Sequence, residues 1–227
     1  MTQSFFCHCK PACLQTNIEV FRSALKKFFF LPFISKLLLI YLVKFVIDKL
    51  IKNIKGEIMD TIDAIINRRS IRQYTDQNIS EDNINTILRS AMYAPSAMNY
   101  QPWHFIVINK KEVISELQNI FPHADMLKQA TLLIIVCGDT ELERSTDYIV
   151  QDCAAATQNA LLAVHSLGLG AVWLSVYPNK DVIAGLKKKF NLPDNILPVS
   201  TISIVFPAEV IEKEERFHIN RVHTNTW

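Results

Sequence analysis

"MDTIDAIINRRSIRQYTDQNIS", residues 59–80, begins with a helical rhythm and ends in a turn crowded with positive charge. Ile62, Ile65 and Ile66 fall on one face of a short helix over 59–67. Arg68, Arg69 and Arg72 then follow within five residues, interleaved with Ser70 and Ile71. Ser80 is a natural N-cap for a second helix that carries Ile84, Ile87, Leu88 and Met92. An arginine-dense turn between two helices is either a solvated basic corner or an anion clamp, because guanidinium matches phosphate bidentately and stays charged at any relevant pH. The residues on either side decide between these two.

The charge background makes the turn a local feature. Residues 1–58 carry nine Lys/Arg against three Asp/Glu, a balance of +6, whereas residues 59–227 carry 15 against 19, a balance of −4. A mildly acidic main body argues against a nucleic-acid partner. Five glycines in 227 residues is well under the roughly 7% of ordinary usage. No GxGxxG or GxxxxGK[ST] occurs, and "GLG" at Gly168–Gly170 is the nearest approach. A phosphate held here must therefore meet side-chain cations and a few amides instead of a glycine cradle. Cys137 and Cys153 lie in apolar runs and read as small core residues, and nothing calls for an oxidising compartment.

Downstream of the second helix, "APSAMNYQP" (94–102) is a loop by its prolines and small polar residues. "WHFIVI" (103–108) is a strand, "KEVISELQNI" (111–120) a helix and "TLLIIVCGD" (131–139) a buried strand. A long helix runs over 146–167 and stops at Gly168. "AVWLSVY" (171–177) is a strand, 179–190 a helix and "VSTISIVF" (199–206) a strand. Mixed helices and strands over 169 residues predict one α/β or α+β sandwich. The long helix is apolar around much of its circumference (Ile149, Val150, Ala154, Ala155, Ala156, Ala160, Leu161, Leu162, Val164), as in a helix shared with a partner subunit, so a homodimer is expected.

Residues 1–58 form a separate extension of different composition. "FFFLPFISKLLLIYLVKFVI" (28–47) has the length of a membrane span. Lys36 and Lys44 interrupt it, at a cost of about 2.5–3.5 kcal/mol each near a helix centre, and Pro32 kinks it. Lys44, Asp48, Lys52 and Lys55 share a face, which suits a membrane surface. The favoured reading is different: "KGEIM" (55–59) can be encoded with a ribosome-binding sequence just before a methionine codon, so translation is expected to start at Met59. The Cys7-His8-Cys9-Cys13 group lacks a second ligand pair at zinc spacing, and no metal is expected.

Four segments in order, "MDTIDAIINRRSIRQYTDQNIS", "APSAMNYQPWHFIVI", "LLAVHSLGLGAVWLSVYP" and a tail ending "RFHINRVHTNTW", resemble the nitroreductase family of FMN-dependent oxidoreductases over 59–227. The resemblance implies an α+β sandwich with a central mixed sheet flanked by helices, in an intertwined homodimer with shared FMN sites. It implies that Arg68, Arg69 and Ser70 hold the ribityl phosphate and ribityl oxygens. Arg72 would face the N1/O2 edge of the ring, where negative charge collects on reduction. Pro95, Ser96, Ala97 and Asn99 would pack against the flavin from the other subunit or its border, with Gln101 and Pro102 shaping the turn into the strand. Backbone amides around Leu174 and Ser175 would reach N5 and O4, with Trp173 either a flavin neighbour or a core residue. Many relatives carry glycine where Ser175 stands. Arg216 or Arg221 would return to the phosphate, with His218 and His223 packing the tail. The implied activity is hydride transfer from NADH or NADPH to a small oxidised acceptor (nitroaromatic, quinone, enone or flavin) by ping-pong kinetics, in the cytoplasm, with no catalytic side chain or metal of the protein's own. Two other readings stay open: a membrane-tethered reductive dehalogenase of the iodotyrosine deiodinase type, should residues 28–47 be an anchor, and an FMN-binding module without turnover.

Overall fold

The computed structural model describes residues 59–227, with Lys44 alone ahead of them. The expectations for the Cys7–Cys13 group, the 28–47 segment and the start at Met59 fall outside the described residues.

Capping sets the first two helices. Asp60 accepts the Ile62 N–H through Oδ1 at 2.8 Å and opens α1, Thr61–Asn67. Ser80 Oγ accepts the Asn83 N–H and opens α2, Glu81–Met92, whose first turn holds Glu81 and Asp82 at the positive end of the helix dipole. Ile84, Ile87 and Ala91 are buried, but Met92 is half exposed and Ile62, Ile65 and Ile66 all face outward. The apolar face of α1 therefore lies outside the core of the single chain.

Four strands follow: β1 (Trp103–Ile108), β2 (Leu132–Asp139), β3 (Gly170–Ser175) and β4 (Ile196–Val205). They form one sheet in the order β1-β2-β4-β3, every neighbour antiparallel. The parallel part of the expected mixed sheet is a single bridge, Ser70 to Ala171. The α+β sandwich itself is what the structure shows. The helices are α3 (Lys111–Glu116), which the sequence had extended to 120 but which tightens to 3-10 geometry from Leu117, α4 (Thr146–Ser166) and α5 (Lys180–Phe190).

Alternation on the central strands divides the core in two. Leu132, Ile134 and Val136 of β2 pack with α2 and α4, whereas Leu133, Ile135 and Cys137 pack with α3, α5 and the 3-10 turns. Cys137 and Cys153 are free and buried, as expected of core residues. Along α4, Ile149, Cys153, Ala156, Ala160 and Val164 are buried, with Val150, Ala154, Ala155 and Leu162 half-buried.

The two glycines of "GLG" have different reasons, one local and one tertiary. Gly168 ends α4 at φ +72°, and the Leu169 N–H returns to the Val164 carbonyl at 3.0 Å. Gly170 allows Ile71 to approach β3, because a Cβ there would lie 2.9 Å from Ile71 Cβ and Cγ2. The arginine turn is thus laid along the outer edge of the sheet. The Ile71 N–H donates to the Ala171 carbonyl at 3.0 Å, Thr75 N–H to Phe206 at 3.0 Å, and Ala208 N–H returns to Gln73 at 2.9 Å. Among the described residues no helix is long and apolar enough to cross a membrane.

Candidate functional site

The arginine turn concentrates charge that the described residues do not pair with a carboxylate. Arg69 Nη1 is clamped by the carbonyls of Ile66 and Arg68, both at 2.8 Å. The other edge of the same fork, Nε and Nη2, is buried without a hydrogen-bond partner. That edge is the one a carboxylate or phosphate would engage with two parallel bonds. Arg68 is half-buried, and its pKa is lowered by burial and then by the nearby charges of Arg216 and Arg69. His165, in the last turn of α4, has a buried, unpartnered Nε2. Burial first, then Arg68 and Arg69, push its pKa below the ordinary histidine value. Arg69 and His165 both line a cavity of about 340 Å³ that also takes in Asn67, Glu209 and Lys213.

Arg72 is exposed, with Nη1 3.4 Å from the Ser70 carbonyl. The turn's backbone is held by Glu209, whose Oε1 accepts the N–H groups of Arg72 at 2.6 Å and Gln73 at 2.9 Å. Glu209 and His165 carried no signal in the sequence: one reaches across 137 positions, and the other looks like any polar residue at a helix end. Of the two tail candidates, Arg216 is near enough for its charge to act on Arg68, although its Nη2 also lies 3.7 Å from Glu214. Arg221 sits in an exposed 3-10 turn. His223 stacks on Trp227, with ring centroids 4.3 Å apart, and His218 is exposed.

Beyond the turn, the edge of β3 is open. Because Ala171 turns its carbonyl to Ile71, strand alternation points the N–H groups of Trp173 and Ser175 to that edge and the Leu174 N–H toward β4. Ser175 thus presents an amide at the edge, and Leu174 does not. The Ser175 side chain is exposed, Leu174 is buried and Trp173 is half-buried against the α4 side of the core.

The 94–102 loop lies elsewhere. It leads into β1, at the far edge of the sheet, three strand spacings or about 14 Å from β3. It touches α4 at Asp152, 13 residues or about 20 Å along the helix axis from His165. One chain therefore places Arg68, Arg69, Ser70 and Arg72 on the β3 edge, against its Gly170–Ala171 start, with Arg216 near Arg68 and Ser175 four residues further along the same edge. It holds Pro95, Ser96, Ala97 and Asn99 at the other edge of the sheet. Among the described residues no group of three or more His, Cys, Asp or Glu is placed to hold a metal.

The sequence profile described as the Nitroreductase family matches residues 65–124 and 121–204. A Methanothermobacter thermautotrophicus protein named "Putative NADH dehydrogenase/NAD(P)H nitroreductase" is 42% identical over 181 residues, covering 79% of this chain and 95% of its own. The FMN reductase (NADPH) of Bacillus subtilis is 26% identical over 187 residues, covering 74% of each chain. Among solved structures, the FMN-dependent nitroreductase of Clostridium difficile R20291 superposes with a TM-score of 0.68 at 27% identity, covering 73% of this chain and 99% of the other.

Proposed function

The chain belongs to the nitroreductase family, and on that premise we propose that its 59–227 region holds FMN at the arginine turn and reduces a small oxidised acceptor at the expense of NAD(P)H. It is an NAD(P)H-dependent flavin oxidoreductase. The observation that carries the cofactor assignment is the buried, unpartnered Nε–Nη2 edge of Arg69 beside Arg68, Arg216 and His165. Among the described residues no carboxylate is paired with Arg68 or Arg69, Glu209 being engaged with the backbone of the turn, and the terminal phosphate dianion of FMN would supply the counter-charge.

When bound, FMN supplies hydride acceptance and donation; the chain supplies binding, orientation and charge. Arg68, Arg69 and Arg216 hold the phosphate, and Ser70 the ribityl chain. Arg72, exposed next to the β3 edge, offers positive charge to the N1/O2 side of the ring, and the Ser175 amide is an available donor along the same edge. Nicotinamide and acceptor would then be bound in turn at the flavin, in ping-pong order. The acceptor is a nitroaromatic, a quinone, an enone or a free flavin.

The site is completed by a second copy of the chain. The Pro95–Asn99 loop cannot reach the same chain's arginine turn from the opposite sheet edge. Large apolar side chains left exposed in the single chain, Ile62 and Ile65 of α1, Met98 and Tyr100 of the loop, and Phe217 and Ile219 of the tail, are the surface such a homodimer would cover.

Stopped-flow absorbance of the FMN-loaded protein mixed with NADH and with NADPH tests the reading. Bleaching near the flavin maximum, followed by reoxidation with menadione or a nitroaromatic, is the expected result. A protein that binds FMN without being reduced by either nucleotide refutes the enzymatic assignment. Light scattering should show a dimer at micromolar concentration, and a monomer with FMN fully bound refutes the shared site.

A further inference from the structure

Asp152 is out of place in α4. The helix's buried side is otherwise apolar except for Thr157, whose hydroxyl is bonded to the Cys153 carbonyl and Ser200 Oγ, and Asp152 lies between Ile149, Cys153 and Ala156 with only 5% of its surface exposed. A carboxyl group removed from water is costly unless its oxygens are satisfied. Here Oδ1 accepts one hydrogen bond, from the Ala97 N–H at 3.0 Å, and Oδ2 is buried with no partner. Its one hydrogen bond among the described residues goes to the short 3-10 turn Ala97–Asn99, not to the sheet or to another of the core helices. Its bond goes to the loop.

That loop needs an anchor. Met98, Asn99 and Gln101 all hold left-handed backbone conformations, with φ of 49°, 59° and 52°, and none is glycine. Such conformations persist only where the surroundings over-determine them. Within 96–101 the other bonds among the described residues are internal: Asn99 N–H to the Ser96 carbonyl, Tyr100 N–H to Ala97, Gln101 N–H to Ser96 Oγ, and Gln101 Nε2 to Asn99 Oδ1; beyond them the Pro102 carbonyl accepts the Asp139 N–H at 2.8 Å. The internal bonds shape 96–101 without attaching it, and the Pro102 bond holds only the exit into β1. The Ala97–Asp152 bond ties that shape to the long helix.

We propose that Asp152 is a positioning residue, which fixes the 96–101 loop in the form that offers Ser96, Ala97 and Asn99 to the flavin. The proposal rests on the FMN reading above. Asp152 touches no flavin itself and acts through the Ala97 amide. Replacing a buried, incompletely satisfied carboxyl by an apolar residue of similar volume is often neutral or stabilising. Fold stability and flavin affinity should therefore part company on substitution.

The test uses the full chain with FMN removed, in three single variants and one double. Asp152→Leu should leave the apoprotein's melting temperature unchanged or higher while raising the Kd for FMN, read by quenching of flavin fluorescence, by about tenfold. Asp152→Asn keeps an acceptor for Ala97 and should stay within about threefold of the unchanged protein, a rescue that a general packing role would not give. Ala97→Pro removes the donor from the other side, and Ser96 at φ −139°, ψ 154° already has the extended backbone that precedes proline. Ala97→Pro should match the affinity loss of Asp152→Leu, and the double variant should lose no more than either single one. Limited proteolysis of the apoproteins, which needs no flavin, should show new cutting within 96–101 for the Leu and Pro variants alone. Unchanged FMN affinity in Asp152→Leu overturns the proposal, as do losses that add in the double variant. If Asp152→Leu fails to fold, a Kd for Asp152→Asn as weak as that for Ala97→Pro overturns it. If the unchanged protein binds no FMN, the functional reading falls and this proposal with it. Normal FMN binding in both the unchanged and the Leu protein overturns the proposal alone.

Discussion

Replacing Arg68 by methionine should weaken FMN binding without destabilising the protein. The backbone of Arg68 does structural work, since its N–H closes α1 on the Ala64 carbonyl at 3.1 Å and its carbonyl accepts Arg69 Nη1 at 2.8 Å. A side-chain substitution leaves both bonds in place. The guanidinium itself is half-buried and faces two like charges, Arg216 and Arg69, which with burial lower its pKa. The sign follows: at neutral pH Arg68 is charged in both the folded and the unfolded chain, so burial and repulsion are a penalty on the folded state alone. Arg68→Met relieves it, and the apoprotein should melt at the same temperature or above. Binding moves the other way. A hydrogen bond to a charged group contributes roughly 1.5–3 kcal/mol, which at about 1.4 kcal/mol per decade corresponds to a rise in Kd of about 10- to 150-fold. Fluorescence titration with FMN, repeated with riboflavin, isolates the phosphate. Riboflavin affinity should not change, because it has no phosphate to lose. An FMN Kd within about threefold of the unchanged protein, or an equal loss for riboflavin, refutes the placement of the phosphate at Arg68.

Gly170→Ala should push Ile71 away from β3, since the added Cβ would lie 2.9 Å from two Ile71 carbons. A loss of about 1–3 kcal/mol in urea unfolding, together with weaker FMN binding, is the expected pair of results, and normal FMN affinity would separate the turn's position from its function. Arg72→Ala removes an exposed side chain, so stability should stay within about 0.5 kcal/mol. The flavin midpoint potential should fall and reduction by NAD(P)H should slow, measured by dye equilibration and stopped flow. His165 has a pKa lowered in the fold by burial, Arg68 and Arg69, so the unfolded chain binds more protons as pH falls below the ordinary histidine value. Stability of the apoprotein should be complete above about pH 6.5 and decline below it. Arg68→Met should raise the His165 pKa, followed by NMR of the ring Cε1–H.

What could be read in the sequence was local, and what could not was set by contacts distant along the chain. Ser80 followed by the spaced isoleucines of α2 announces its own helix, and the unbroken run at 131–139 announces a buried strand. The order β1-β2-β4-β3 is decided by pairings such as Val107 with Ile134 and Ile134 with Ile202, and no short window contains both partners. The same division runs through the site. The density of Arg68, Arg69 and Arg72 raises an anion clamp as one of two readings, and the motifs around it favour that one. Glu209, which fixes the backbone of that turn, sits 137 positions away from Arg72 and looks like one more surface carboxylate. Asp152 is hidden for the opposite reason: periodicity averages over a helix, and one polar residue among many apolar ones barely alters the pattern. The order of motifs along the chain also conceals how they combine. The arginine turn and the Pro95–Asn99 loop are separated by only one helix in sequence, which invites the inference that they close on each other within one chain. Antiparallel pairing instead puts the loop at the β1 edge and the turn at the β3 edge. If both touch one flavin, the loop must come from a second copy. The apolar side chains that α1, the loop and the tail leave exposed are then part of the same requirement as the arginines, because the first assemble the site that the second fill.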